Sequence, residues 1–454
     1  MTQRSAVPID RGWAWVIVTA AFMNLLFLIG ISKCFGILFA ELIELYNGTA
    51  SETSTMLALA AGLSLFTAPL VTTISDLYTC RLVSMIGGLI CCLGFLVPAF
   101  CTSLEQVIIS FGILTGLGYG VCLTPSAIIV GRYFEHHRSL ANGLMFSGSG
   151  VGGMLIPLVL NYIIEQFGLH GAFLILAGFA LQTVVFSALY RPLEYWTRTG
   201  KRVSSDSEEA LEAGNEQVQV DEGKTSGDKL SEIGKSDASI MNRRRLSSSG
   251  ILLRNWRFVL FVTCSMFMLV SACIGMIIPP HCNQLGLTKI EVAVLLSVQG
   301  GADTAGRLLV GFIGDRSFIK SRRHVMVGAC CLIATVATCV SIFLTTFWSL
   351  LIYLVFCSLA IGAFTPMIPV VLVDLVGVDN LSRAWGITVF VEGFSVTLSP
   401  LIIGALRDLT LSYTSGLIFL DVCFAFATFC IFVVVALDSR HPKAVTTFHG
   451  TAPE

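Results

Sequence analysis

A lysine stands alone in the stretch LIGISKCFGILF: Lys33 has no other charged residue between Arg11 and Glu41. An ammonium at the centre of a membrane helix costs roughly 2.5–3.5 kcal/mol on insertion scales, and such residues are kept where they have a partner or a task. Few other charges lie deep in apolar runs; they are Asp303, Arg307, Glu392 and Asp421. Asp303 and Arg307 are spaced i, i+4. They share a helix face, with the acid N-terminal to the base, the better order. Two bases and one acid suit an anion site with a titratable partner. Lys33 and Arg307 attract a carboxylate, and Asp303 accepts or releases a proton. The plainer alternative is a structural ion pair, with Lys33 snorkelling to the surface. Glu392, in VFVEGF, is a candidate for lining the pathway, for gating it or for pairing with a base. Asp421 reads as an interfacial acid.

The elements that must position these residues are membrane helices. The chain has 454 residues, of which 55% are hydrophobic and only 13% charged, with a mean hydropathy of +0.82. A soluble chain carries about 25% charged residues. At about 20 apolar residues per crossing, twelve spans emerge: 13–39, 53–75, 82–101, 106–130, 139–164, 171–190, 256–280, 290–314, 324–345, 348–373, 384–406 and 414–437. The expected fold is an all-α membrane protein of twelve transmembrane helices in two six-helix halves. The halves are 1–190 and 256–440, separated by a polar Ser-, Glu- and Lys-rich cytosolic linker over 191–255 and followed by a tail, 441–454. The linker composition is that of a disordered segment. Measured along a helix, Lys33 lies about 30 Å from Gly12 and Asp303 roughly 20 Å from the start of its span, so the charges are expected at different depths.

Lysine and arginine set the orientation. Arg132 and Arg138 share one short loop, and Arg316, Lys320, Arg322 and Arg323 another on the same side. Only Lys289 and Arg407 fall opposite, which places both termini in the cytosol. The NGT pattern at Asn47 then lies outside as a glycosylation acceptor, and RRRLSSS offers Ser247 to a basic-directed kinase. The net charge of −1 says nothing about partners, and no basic patch interleaved with aromatics points to nucleic acid. Fifteen cysteines, mostly in apolar runs, read as small hydrophobes. No nucleophile–base pair, metal spacing or cofactor motif points to an enzyme. The halves also echo each other. SDLYTCR holds Asp76 and Arg81, and GDRSFIKSRR holds Asp315 and Lys320 at the same spacing. Repeated halves around a midplane site are a transporter architecture.

The 6 + 6 pattern resembles the major facilitator superfamily, although Thr72 replaces a glycine usual before the first-half acid, whereas Gly311 keeps it in the second. Two longer motifs narrow the resemblance to the monocarboxylate transporters of solute carrier family 16. The first is DRGWAW, Asp10 to Trp15, with Arg11 at a usual glycine. The second is YFEHHRSLANGLMFSGSGVG, in which Tyr133, Phe134, Arg138, Leu140, Ala141, Asn142 and Gly143 match and Glu135, His136 and His137 replace a more basic stretch. DLVG at Asp374 and GITVFVEG near Glu392 extend the likeness into the second half.

The resemblance implies a proton-coupled symporter of small monocarboxylates such as lactate or pyruvate, working by alternating access at the plasma membrane. Lys33 and Asp303 would couple the proton, and Lys33 and Arg307 would bind substrate. Arg138 and Asn142 are candidate gating positions. Ile361 stands where lactate carriers tend to have an aromatic, which leaves room for a larger substrate. No cofactor is implied beyond the proton. The expected partners are the substrate, the lipid bilayer and, as for some family members, a single-span immunoglobulin-like chaperone. The competing readings are a pH-independent facilitative carrier of a larger carboxylate or amino-acid-like solute, and a non-transporting receptor or scaffold.

Overall fold

The computed structural model describes residues 8–46, 50–193, 195–196, 252–320 and 322–440. Asn47, Ser247, most of the linker and the 441–454 tail lie outside them. Helix follows helix through the described chain. We label the spans α1 (Trp13–Lys33, running on as Phe35–Tyr46), α2 (Ala50–Phe66 with Ala68–Leu77), α3 (Cys80–Phe100), α4 (Leu104–Tyr133), α5 (138–167) and α6 (169–187). In the second half come α7 (Trp256–Gln284), α8 (Lys289–Gly314), α9 (Arg323–Ser341), α10 (Phe347–Val376), α11 (Leu381–Thr410) and α12 (Thr414–Arg440).

Among the described residues, nine helices are long and apolar enough to cross a bilayer unaided. Those nine cover ten of the twelve spans, because α5 and α6 count as one; α2 and α8 fall outside them. α2 bends by 43° between Leu59–Phe66 and Ala68–Leu77, next to Pro69. α5 and α6 follow each other without an intervening loop, and the non-helical backbone of Gly168 breaks the helix between them. Its φ of 67° is a conformation that glycine adopts without steric cost. α8 carries Asp303 and Arg307 in its middle, which lowers its hydropathy. The result is the twelve-helix arrangement, six before the linker and six after.

The termini and both ends of the linker lie on one face, here the linker face; the opposite one is the far face. Buried apolar residues form two clusters. One joins the second half to the linker-face ends of the first, from Ala14 to Leu25 on α1 and Ala127 to Phe134 at the end of α4. The other fills only the far-face part of the first half, including Leu28, Phe95, Phe111 and Phe173. The halves therefore share a continuous core at the linker face and separate toward the far face. The cysteines are all free, and thirteen are buried; Cys92 is half-buried and Cys339 exposed.

Candidate functional site

α1 ends at Lys33, and a break at Cys34 precedes its continuation. The Lys33 ammonium lies 3.9 Å from Asp303 Oδ2 across the boundary between the halves. Arg307 forks onto the same carboxylate: Nε donates to Oδ2 at 3.1 Å, and Nη2 donates to Oδ1 at 3.1 Å and Oδ2 at 2.9 Å. Its Nη1 donates to the Phe146 carbonyl of α5, at 3.2 Å, a second link between the halves. The Asp303 and Arg307 side chains are only 15% and 11% exposed, whereas Lys33 keeps 40% of its side chain accessible. One acid thus sits between two bases contributed by different halves, and the three carry a net positive charge when Asp303 is ionised.

The expectation of charges at separate depths is corrected here. Side chains on a helix lean toward its N-terminus. α1 runs toward the far face, so Lys33 leans back; α8 runs the other way, so Asp303 leans forward to meet it. The Lys33 stem lies over Gly153 of α5, where an added Cβ would strike its Cδ. Lys33 therefore does not snorkel out alone. The aspartate is fixed from behind by glycines. A Cβ on Gly362 of α10 would overlap the Asp303 carbonyl, and one on Gly306 would overlap that of Leu359. α8 also packs closely on α5, with Gly143 against the Arg307 carbonyl and Gly150 against Thr304. The glycines of FSGSGVGG thus act as small-residue helix contacts, and among them Gly150 and Gly153 seat α8 and Lys33.

The other sequence candidates fall elsewhere. Arg138 is buried at the linker-face start of α5, with Nε donating to the Phe134 carbonyl at 2.9 Å. Asn142 donates to the Arg138 carbonyl at 2.9 Å, and its Oδ1 is buried without a partner. Ile361 is half-buried on α10, beside the Gly362 contact to Asp303. Glu392 is buried in α11 facing the Ser265 hydroxyl of α7; its Oε1 has no hydrogen-bond partner. Among the described residues, no base pairs with it.

The acids of the two echoed loops find their partners on other helices. Asp76 pairs not with Arg81 but with Arg132, at 2.7 Å, and Arg132 also donates to Ser382 on the first turn of α11, at 2.7 Å. Asp315 pairs not with Lys320 but with Arg323, at 2.8 Å, and Arg323 reaches Asp374 at 3.2 Å. Arg81 and Lys320 point to solvent. Asp315 also accepts the backbone N–H groups of Ser139 and Leu140, at 3.0 and 2.8 Å, and so holds the N-terminus of α5 from the opposite half. A carboxylate there is favoured by the orphan amides and the helix dipole. These links close the linker face, so the accessible part of Lys33 opens toward the far face.

The Major Facilitator Superfamily profile matches residues 20–337 and 269–451. Monocarboxylate transporter 12 of Mus musculus is 31% identical over 90% of this chain and 83% of its own length. Monocarboxylate transporter 2 of Homo sapiens is 28% identical over 89% and 82%. Among solved structures, the proton:xylose symporter XylE bound to 6-bromo-6-deoxy-D-glucose superposes with a TM-score of 0.70 at 14% identity, over 93% of this chain and 95% of that one. FucP in the outward conformation superposes at 0.63 and 15% identity, over 93% and 99%. The chain is thus a multi-pass membrane protein with the major facilitator fold, and it belongs to the monocarboxylate transporter family, solute carrier family 16, of the Major Facilitator Superfamily.

Proposed function

We propose that this transporter carries small monocarboxylates together with a proton, by alternating access, with the linker face in the cytosol of a plasma-membrane protein. The observation that carries the reading is the single carboxylate of Asp303 held between Lys33 and Arg307 at the boundary of the halves. With Asp303 ionised, both cations are occupied. A proton on Asp303 releases Arg307 and Lys33, and a substrate carboxylate takes its place. Arg307 presents the fork geometry that suits a carboxylate, and the accessible Lys33 meets the anion first. One anion and one proton cross together, so no net charge moves. The relatives named monocarboxylate transporters and the proton:xylose symporter of the same fold support the class of activity. Ile361 beside the site favours a panel that includes larger carboxylates.

Radiolabelled uptake in cells or liposomes, at external pH 6 to 8, is the test. Wild-type uptake should rise as external pH falls. Lys33→Gln and Asp303→Asn should each abolish the pH-driven component. Unchanged pH-dependent uptake in both variants would falsify the assignment. Saturable uptake that ignores pH in the wild type favours the facilitative reading, and no flux for any carboxylate favours a receptor.

A further inference from the structure

The DRGWAW segment lies far from the substrate charges and takes no part in the function proposed above. Asp10 and Gly12 both adopt left-handed backbone angles, with φ of 56° and 47°; aspartate tolerates that region and glycine has no penalty there. The resulting turn folds the Asp10 carboxylate back onto the loop before α5. It accepts the N–H of His136 at 3.0 Å, of His137 at 3.1 Å and of Glu135 at 3.3 Å. The Asp10 N–H donates to the Tyr133 carbonyl, at 3.1 Å. Burial works to raise the Asp10 carboxyl, but these amides and the nearby His136 outweigh it and hold it below 3.8. The group contributes above that value and loses its contribution only as pH falls through the lower, folded one; it stays ionised at neutral pH.

The next two residues that donate to a carboxylate are Ser139 and Leu140, and theirs is Asp315 of the other half. One helix start is therefore shared by two acids. Asp10 belongs to its own half and travels with it, whereas Asp315 must let go for the linker face to open. Behind Asp10 the segment is clamped. The Arg191 guanidinium stacks 3.9 Å from the Trp13 ring centre, Trp13 Nε1 donates to the Leu189 carbonyl, Tyr133 donates to the Arg191 carbonyl, and Trp196 donates to the Tyr133 hydroxyl.

We infer that Asp10 is a positioning residue of the linker-face gate: it fixes the loop 135–137 so that the Ser139 and Leu140 amides are pre-aligned for Asp315. The inference is independent of which solute is carried. It differs in sign from the simplest alternative, in which two nearby carboxylates repel and Asp10 weakens the gate.

Hydrogen–deuterium exchange of the full-length protein in lipid nanodiscs tests it without any substrate. Amides 135–137 lose the carboxylate charge and one of its two acceptor oxygens in Asp10→Asn, and they exchange faster under any account. The informative amides are Ser139 and Leu140, which Asp10 does not touch. In Asp10→Asn these should exchange about threefold faster, the scale of a carboxylate charge lost beside a helix N-terminus, together with the linker-face end of α11 and with slower exchange at far-face helix ends. Asp10→Glu should recover most of the protection. Asp315→Asn should release the same amides, and Asp10→Asn added to it should release them no further. Unchanged or slower exchange at Ser139 and Leu140 in Asp10→Asn, a full additional increase in the double variant, or a rise spread equally over all helices overturns the inference.

Discussion

Asp303 is held by contacts of unequal kind. The Arg307 fork is short, partly buried and charge-assisted, whereas Lys33 stands 3.9 Å away with much of its side chain accessible. At an effective dielectric constant near 20, two unit charges at that separation attract by about 4 kcal/mol before desolvation is counted. Lys33 is thus the partner an incoming anion can displace first, and Arg307 the one that defines its orientation. Arg307→Lys keeps the charge but loses the fork. It should cut carboxylate uptake about tenfold or more while leaving surface expression normal, as checked by uptake normalised to surface biotinylation. Gly153→Ala should push the Lys33 stem off its seat and raise the substrate concentration for half-maximal uptake without abolishing pH dependence. The charges themselves were legible in the sequence, because Lys33, Asp303 and Arg307 break apolar runs. Their contact was not, because rise per residue ignores the direction in which side chains lean.

At the scale of elements, α8 is the pivot. It meets α5 through Gly143, at backbone distance, and through Gly150, against the Thr304 side chain, and α10 through Gly306 and Gly362, at backbone distance. Gly362→Ala must push α10 off α8 at Asp303. An overpacking cost of about 1–3 kcal/mol should lower the thermal midpoint in detergent and reduce uptake, whereas Gly178→Ala, which meets open space, should change neither. The spans were readable from hydropathy and the breaks only partly. The break of α2 beside Pro69 and the Gly168 turn have local sequence causes. The pairing of Asp76 with Arg132 and of Asp315 with Arg323 does not, because both arginines come from other helices. Arg81 and Lys320, the bases of the echoed loops, lie at the surface.

For the whole molecule, the shared core and the links from Asp315 and Arg132 across the linker face describe one end state of the proposed alternating-access cycle. Opening the linker face must break Asp315 from α5 and Arg132 from Ser382. Asp315→Asn keeps a capping oxygen but removes the carboxylate charge, about 0.3–1 kcal/mol at a helix N-terminus, and should shift the population toward the linker-open state, raising the apparent KM on the far face and lowering it on the linker face. The fold and the charged trio were foreseeable together because both rest on composition and motif. The closed state was not, since it depends on contacts between residues more than a hundred positions apart. The central claim is that one proton on Asp303 accompanies one carboxylate. The direct measurement is simultaneous recording of internal pH and membrane current during uptake of radiolabelled lactate in voltage-clamped oocytes. The account predicts acidification matched one-to-one with lactate entry, no current, and rates unaffected by voltage. Lactate entry that carries current, or that leaves internal pH unchanged, would contradict it.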